Sequence, residues 1–182
     1  MSMKHIKLFS VVMLAGLVIA SCKKKNEEEE NEEELITTVK VTLTPVGGGA
    51  PATYNWKDVD GAGGNAPTID QITLAPSTAY NCTLLFLDES KSPVEDITAE
   101  IVSEANDHQV YYEVTTVQVG ITGLNNDGAG LPLGTTSVWG AGSVSNGTVK
   151  ITLKHKPGAK ASGDPVSKGE TDVEVTFPTR IQ

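Results

Sequence analysis

Val149-Lys150-Ile151-Thr152-Leu153-Lys154 places an apolar residue at every second position and a polar one between. A period of two marks an extended strand, because successive Cβ atoms leave the backbone on opposite faces. The valine, isoleucine and leucine need a core, while the lysines and threonine need water, so one face is buried and the other wet. The same alternation recurs in Val39-Lys40-Val41-Thr42-Leu43 and in Asp172-Val173-Glu174-Val175-Thr176-Phe177. Cys82-Thr83-Leu84-Leu85-Phe86-Leu87 is apolar at nearly every position and predicts a central strand covered on both faces. Weaker patterns predict strands over 53–57, 70–75, 109–114, 116–121 and 135–139.

The connections agree. Asp60-Gly61, Asn126-Asp127-Gly128 and Asn146-Gly147 read as turns, since Gly and Asn accept positive φ at little cost. Pro45, Pro51, Pro76, Pro132, Pro157 and Pro165 fall between strands, where a missing N–H breaks no ladder. Short strands separated by Gly/Pro turns predict an all-β fold, an immunoglobulin-like or Greek-key β-sandwich. One short helix is inserted. Ser92-Pro93-Val94-Glu95 reads as its capping box with Pro at the first helical position. Val94, Ile97, Ile101 and Ala105 form an apolar stripe, and Asp96, Glu100 and Glu104 an acidic one. So short a helix is stable only when its apolar stripe docks on a sheet edge or a sandwich end.

Ahead of this domain the pattern changes. Lys4 and Lys7 precede an apolar run of 13 residues, Leu8 to Ala20. That is the layout of a secretory signal peptide and falls short of the about 20 residues that span a bilayer. Ile19-Ala20-Ser21-Cys22 resembles a bacterial lipobox, which makes Cys22 the expected site of acylation and the new N-terminus. Several acyl chains, each contributing about 0.8 kcal/mol per buried CH₂, anchor stably where one is marginal. Lys23-Lys24-Lys25-Asn26, followed by glutamates to Glu34, cannot bury apolar surface and reads as a hydrated tether. The expected organisation is a signal peptide over 1–21, acylated Cys22 and tether over 22–34, and a β-sandwich over 35–182.

The chain carries a net charge of −9, which becomes −11 without Lys4 and Lys7 and −7 for the domain alone. Such a surface repels nucleic acid. With Cys22 committed to lipid, Cys82 has no partner for an intrachain disulfide and reads as a small buried hydrophobe. His108, Glu104, Asp107 and His155 supply the residue types that ligate zinc or copper, if the fold gathers them. No H-x-x-x-H or C-x-x-C spacing enforces this, and His108 equally suits a helix end whose carbonyls it bonds. Asp58, Asp60 and Asp127 sit in loops with a calcium-like start, although Ala62 stands where a third oxygen ligand belongs. Both loops are also ordinary turns. No G-x-S-x-G, Walker A or complete G-x-G-x-x-G occurs, and no nucleophile–base pair is visible, so an enzyme is not expected. Trp56, Tyr111, Tyr112 and Trp139 are too few for a carbohydrate platform and suit packing instead.

Glu33-Glu34-Leu35-Ile36-Thr37-Thr38-Val39, Leu87-Asp88-Glu89-Ser90-Lys91-Ser92-Pro93-Val94-Glu95-Asp96-Ile97, Asp107-His108-Gln109-Val110-Tyr111-Tyr112 and Gly169-Glu170-Thr171-Asp172-Val173-Glu174-Val175 carry a resemblance. Together they resemble a family of uncharacterised Bacteroidota lipoproteins, whose charged segments after the acylated cysteine are similar to surface-export signals. Some relatives carry the label "type 1 periplasmic binding fold", which implies two doubly wound α/β domains and a βαβ rhythm that this chain lacks. The resemblance implies no catalytic residues. It implies an outer-membrane, lipid-anchored binding module, on the cell surface or the periplasmic face, that accompanies a nutrient or metal transporter. The alternative expectation is a structural or adhesive module with no small ligand.

Overall fold

The computed structural model describes residues 35–61 and 63–182. The expected signal peptide, the tether and Cys22 lie outside these residues. In chain order the elements are β1 (Thr38–Pro45), β2 (Ala52–Lys57), β3 (Thr68–Ile69), β4 (Ile72–Leu74), β5 (Ala79–Asp88) and β6 (Glu95–Asp96). They continue with α1 (Ile97–Ser103), β7 (His108–Thr115), β8 (Val119–Thr122), β9 (Thr136–Ala141), β10 (Ser145–His155) and β11 (Glu170–Ile181). None of the described helices is long and apolar enough to cross a membrane.

Two sheets make an all-β sandwich. One has the order β3-β2-β1-β5-β9-β8, with β6 added to β5, and the other has the order β4-β11-β10-β7. Neighbours are antiparallel except β4 and β11. The alternation seen in the sequence sets the core. Val39, Val41 and Leu43 of β1 and Cys82, Leu84 and Phe86 of β5 are buried, as are Val149, Ile151 and Leu153 of β10 and Val175 and Phe177 of β11. Each such side chain contributes about 1.5–3 kcal/mol by leaving water. Trp139 on β9 is wholly buried and meets Tyr112 of β7 edge to face, with ring centroids 6.0 Å apart, so it ties one sheet to the other. Cys82 lies in this core, and burial pushes its thiol up to about 12.

Four local expectations are corrected. β5 is covered on one face only along most of its length, since Thr83 and Leu85 are exposed. Its outer face instead joins a row of threonines, Thr53, Thr42, Thr83 and Thr136, in register across four strands. The helix does not begin at a Ser92 capping box. Ser92–Pro93 is a cis bond, Val94 is exposed, and Asp96 is the N-cap, its carboxylate accepting from the Thr98 N–H at 3.0 Å. Ile97 and Ile101 bury the helix against the core. The Thr98 hydroxyl donates to the Phe86 carbonyl at 3.2 Å and accepts from the Phe86 N–H at 2.8 Å. It replaces a ladder pair beyond the end of β9.

Asn146-Gly147 is not a turn but part of β10, paired with Arg180 and Thr179. Gly147 is needed because the chain crosses from β7 to β8 over it, and a Cβ there would strike the Thr115 carbonyl and the Val117 nitrogen. Pro45 ends β1 and pairs with Tyr80, rather than lying between strands.

Candidate metal centre

The site forms where one sheet ends and the helix stops. His108 opens β7 and His155 closes β10, and the antiparallel register makes them direct partners. Val110 of β7 and Leu153 of β10 point into the core, so the alternation turns both imidazoles to the same inner face. Their rings stack with centroids 4.6 Å apart and planes 10° from parallel. Glu104, the C-cap of α1, brings its exposed carboxylate to the same place. One donor atom from each of Glu104, His108 and His155 lies within 4.8 Å of the other two.

His108 is only 2% exposed, and its Nδ1 lies 3.2 Å from the Glu104 carbonyl oxygen. A carbonyl only accepts, so Nδ1 carries the proton and Nε2 of the neutral ring keeps its lone pair. The helix-end reading of this histidine is realised, since it bonds a terminal carbonyl, and that bond leaves the tautomer that a metal ligand on Nε2 would need. Nε2 lies 3.9 Å from Asp172 Oδ2 of β11. Asp107 is not in the group. Its Oδ1 accepts from the Gly158 N–H at 2.8 Å, and its carbonyl accepts from the Lys156 N–H at 2.6 Å, pinning the β10–β11 loop to the end of the helix.

Burial above all, then the charges of His155 and Lys160, hold the His108 imidazole below its ordinary value of 6.5, against the Glu104 carbonyl and Asp107. The neutral ring is therefore favoured in the fold. In the unfolded chain the ring protonates near 6.5, so the native state binds fewer protons between that value and its own lower one. Metal-free protein is expected to lose stability as pH falls from 6.5, the loss ending once the folded ring is also protonated. Urea midpoints at pH 7.5 and pH 5 check this, and His108→Gln is expected to shrink the difference. Equal dependence in both proteins contradicts the assignment. The ring faces Glu104 and Asp107 from the helix end, His155 from β10, Lys160 from the loop and Asp172 from β11.

The calcium-like residues are used as turns. Asp60 Oδ2 accepts from the Asn65 N–H at 2.9 Å and the Asn65 amide at 2.6 Å, and these bonds hold its carboxyl below the usual range. Asp58 leads into that turn, its N–H donating to the Thr37 carbonyl at 2.8 Å. Asp127 Oδ1 accepts from the Ala129 and Leu131 N–H groups at 2.9 and 2.8 Å, and Lys160 Nζ lies 2.7 Å from its Oδ2. A lysine thus fills the place a cation would take.

Two groups escaped the sequence reading. Lys156 is buried, with Nζ 2.9 Å from Gln109 Oε1, bonded to the Tyr111 hydroxyl and 3.7 Å from Asp164, which folds the β10–β11 loop back over the sheet. Burial pushes its ammonium below the ordinary lysine value, against the pull of Asp164. Asp172 reads as a wet-face residue of an alternating strand, and nothing in that pattern signals its approach to His108. No family model matches the chain, and comparison with curated proteins and with solved structures gives no match either.

Proposed function

We propose that this protein is a lipid-anchored cell-envelope module that binds a divalent transition metal through His108, His155 and Glu104 and accompanies an outer-membrane uptake system. The observation that carries the reading is the pairing of two imidazoles across adjacent strands, with a carboxylate at their open end. Imidazole nitrogen selects zinc and copper over calcium, which takes oxygen ligands. A tetrahedral ion with bonds of about 2.0–2.2 Å needs donors about 3.3 Å apart, a closure the exposed Glu104 side chain supplies by rotating. Ile19-Ala20-Ser21-Cys22 supports the anchor and the charged run behind it the tether.

Titration calorimetry and melting with zinc, copper and calcium test the metal. Zinc or copper is expected to release heat and raise the melting temperature, by about 2.7 kcal/mol of stability at one hundred times Kd. Calcium is expected to do neither, and His155→Ala to abolish both responses. Absence of heat and of any melting shift at millimolar zinc and copper refutes the reading.

A second reading, a structural or adhesive module, is favoured by the uncharged threonine row on the outer face of β2, β1, β5 and β9. Cross-linking in intact cells that captures only matrix or neighbouring protein, together with silent calorimetry, selects it.

A further inference from the structure

We propose that Lys156 and Gln109 form an intramolecular isopeptide bond, the lysine amine replacing the side-chain nitrogen of the glutamine and ammonia leaving. The bond needs no metal ion, so it stands or falls separately from the histidine site.

The two reactants already lie side by side. Gln109 of β7 pairs with Lys154 near the end of β10, and Lys156 reaches it from just beyond that end. Lys156 Nζ lies 2.9 Å from Gln109 Oε1. The carbonyl carbon is one C=O bond of about 1.23 Å further on, so Nζ is at most about 4.1 Å from it. Attack takes place from about 3–3.5 Å, a separation that rotation of the glutamine amide supplies. The Lys156 side chain is 0% exposed and Gln109 is buried, so water is kept from competing with the amine.

The neighbours supply what an amide exchange requires. Burial pushes the Lys156 ammonium below its ordinary value, and a desolvated lysine that sheds its proton is a nucleophile. Asp164 Oδ2 lies 3.7 Å from Nζ, near enough to take that proton. Lys168 holds the other oxygen of the same carboxylate at 2.9 Å, so Asp164 keeps a cationic partner when Lys156 is neutral. The Tyr111 hydroxyl lies 3.0 Å from Gln109 Oε1 and 2.9 Å from the Asp164 carbonyl oxygen. Burial pushes this hydroxyl up, so it retains its proton and donates it in a hydrogen bond to the oxygen that gains charge.

In the step itself the Nζ lone pair attacks Gln109 Cδ, and the carbonyl electrons move onto Oε1. One proton passes from Nζ, by way of the Asp164 carboxylate, to the departing Nε2. The Cδ–Nε2 bond breaks, the carbonyl re-forms and ammonia leaves. One amine and one primary amide become one secondary amide and ammonia, with nothing oxidised or reduced. The product ties β7, the last strand of its sheet, to the residue that follows β10. Cys82 is free, so this cross-link does for the domain what a disulfide does elsewhere, removing freedom from the unfolded chain.

The test is the intact mass of the full-length chain under denaturing conditions, beside Lys156→Arg prepared in the same way so that both share their N-terminal processing. Wild type is expected to weigh less than its processed sequence by one ammonia, and Lys156→Arg to show no such loss. Proteolysis of wild type is expected to yield a branched peptide joining the segments that carry residues 109 and 156. Wild type at its full mass overturns the proposal, as does a lost ammonia that maps elsewhere or that Lys156→Arg shares. Should the variant fail to fold, the wild-type mass and its branched peptide decide by themselves.

Discussion

Trp139→Ala is expected to lower the unfolding free energy by about 3–5 kcal/mol, the range for removing a large aromatic from a closed core. The side chain is 0% exposed. Its edge-to-face contact with Tyr112 is where the two sheets meet, and its indole N–H donates to the Ser137 hydroxyl at 3.0 Å. Truncation therefore removes apolar burial, opens a cavity between sheets that cannot collapse without sliding, and leaves a buried hydroxyl without its donor. The Tyr112 hydroxyl, which donates to the Gly134 carbonyl at 2.7 Å, loses its packed neighbour as well. Urea unfolding followed by far-ultraviolet circular dichroism reads the loss as a lower midpoint with an unchanged slope. A loss under about 1 kcal/mol would mean that the sheets are held together elsewhere.

Gly147→Ala is expected to cost at least about 1–3 kcal/mol, although one methyl group is all it adds. The colliding atoms are the Thr115 carbonyl oxygen and the Val117 nitrogen, both backbone, so no rotamer relieves the clash. The crossing chain is fixed there, with Thr116 at φ 62 and its hydroxyl donating to the Asn146 carbonyl at 3.0 Å. To admit a Cβ, the β7–β8 corner must lift and pull β8 from β9. Gly120→Ala is the control, because a Cβ at that position meets nothing within 4 Å. It is expected to change stability by no more than about 0.5 kcal/mol. Equal effects from the two substitutions would refute the close-approach account of Gly147.

The candidate metal centre was legible only in part. Its two histidines stand out because histidine is scarce, 3 in the whole chain, and Glu104 because it ends an amphipathic helix one turn before His108. Their meeting was not legible, since residues 108 and 155 become neighbours through the β7–β10 register. Asp107 looked as eligible as Glu104, yet the Gly158 N–H claims it. The misread Asn146-Gly147 makes the same point. A glycine after an asparagine signals backbone freedom, and sequence does not say whether that freedom serves a turn or the passage of another strand.

The period-two alternation in β1, β10 and β11 was enough to specify extended strands with one face buried. Hydrophobic burial acts residue by residue along the chain, and a local pattern suffices to express it. Which strands lie beside one another, where β11 bulges and which carboxylate reaches His108 arise from pairing between segments far apart in sequence. Those contacts are chosen by the packing of two sheets at once, so the folded chain alone brings Glu104, His108 and His155 together.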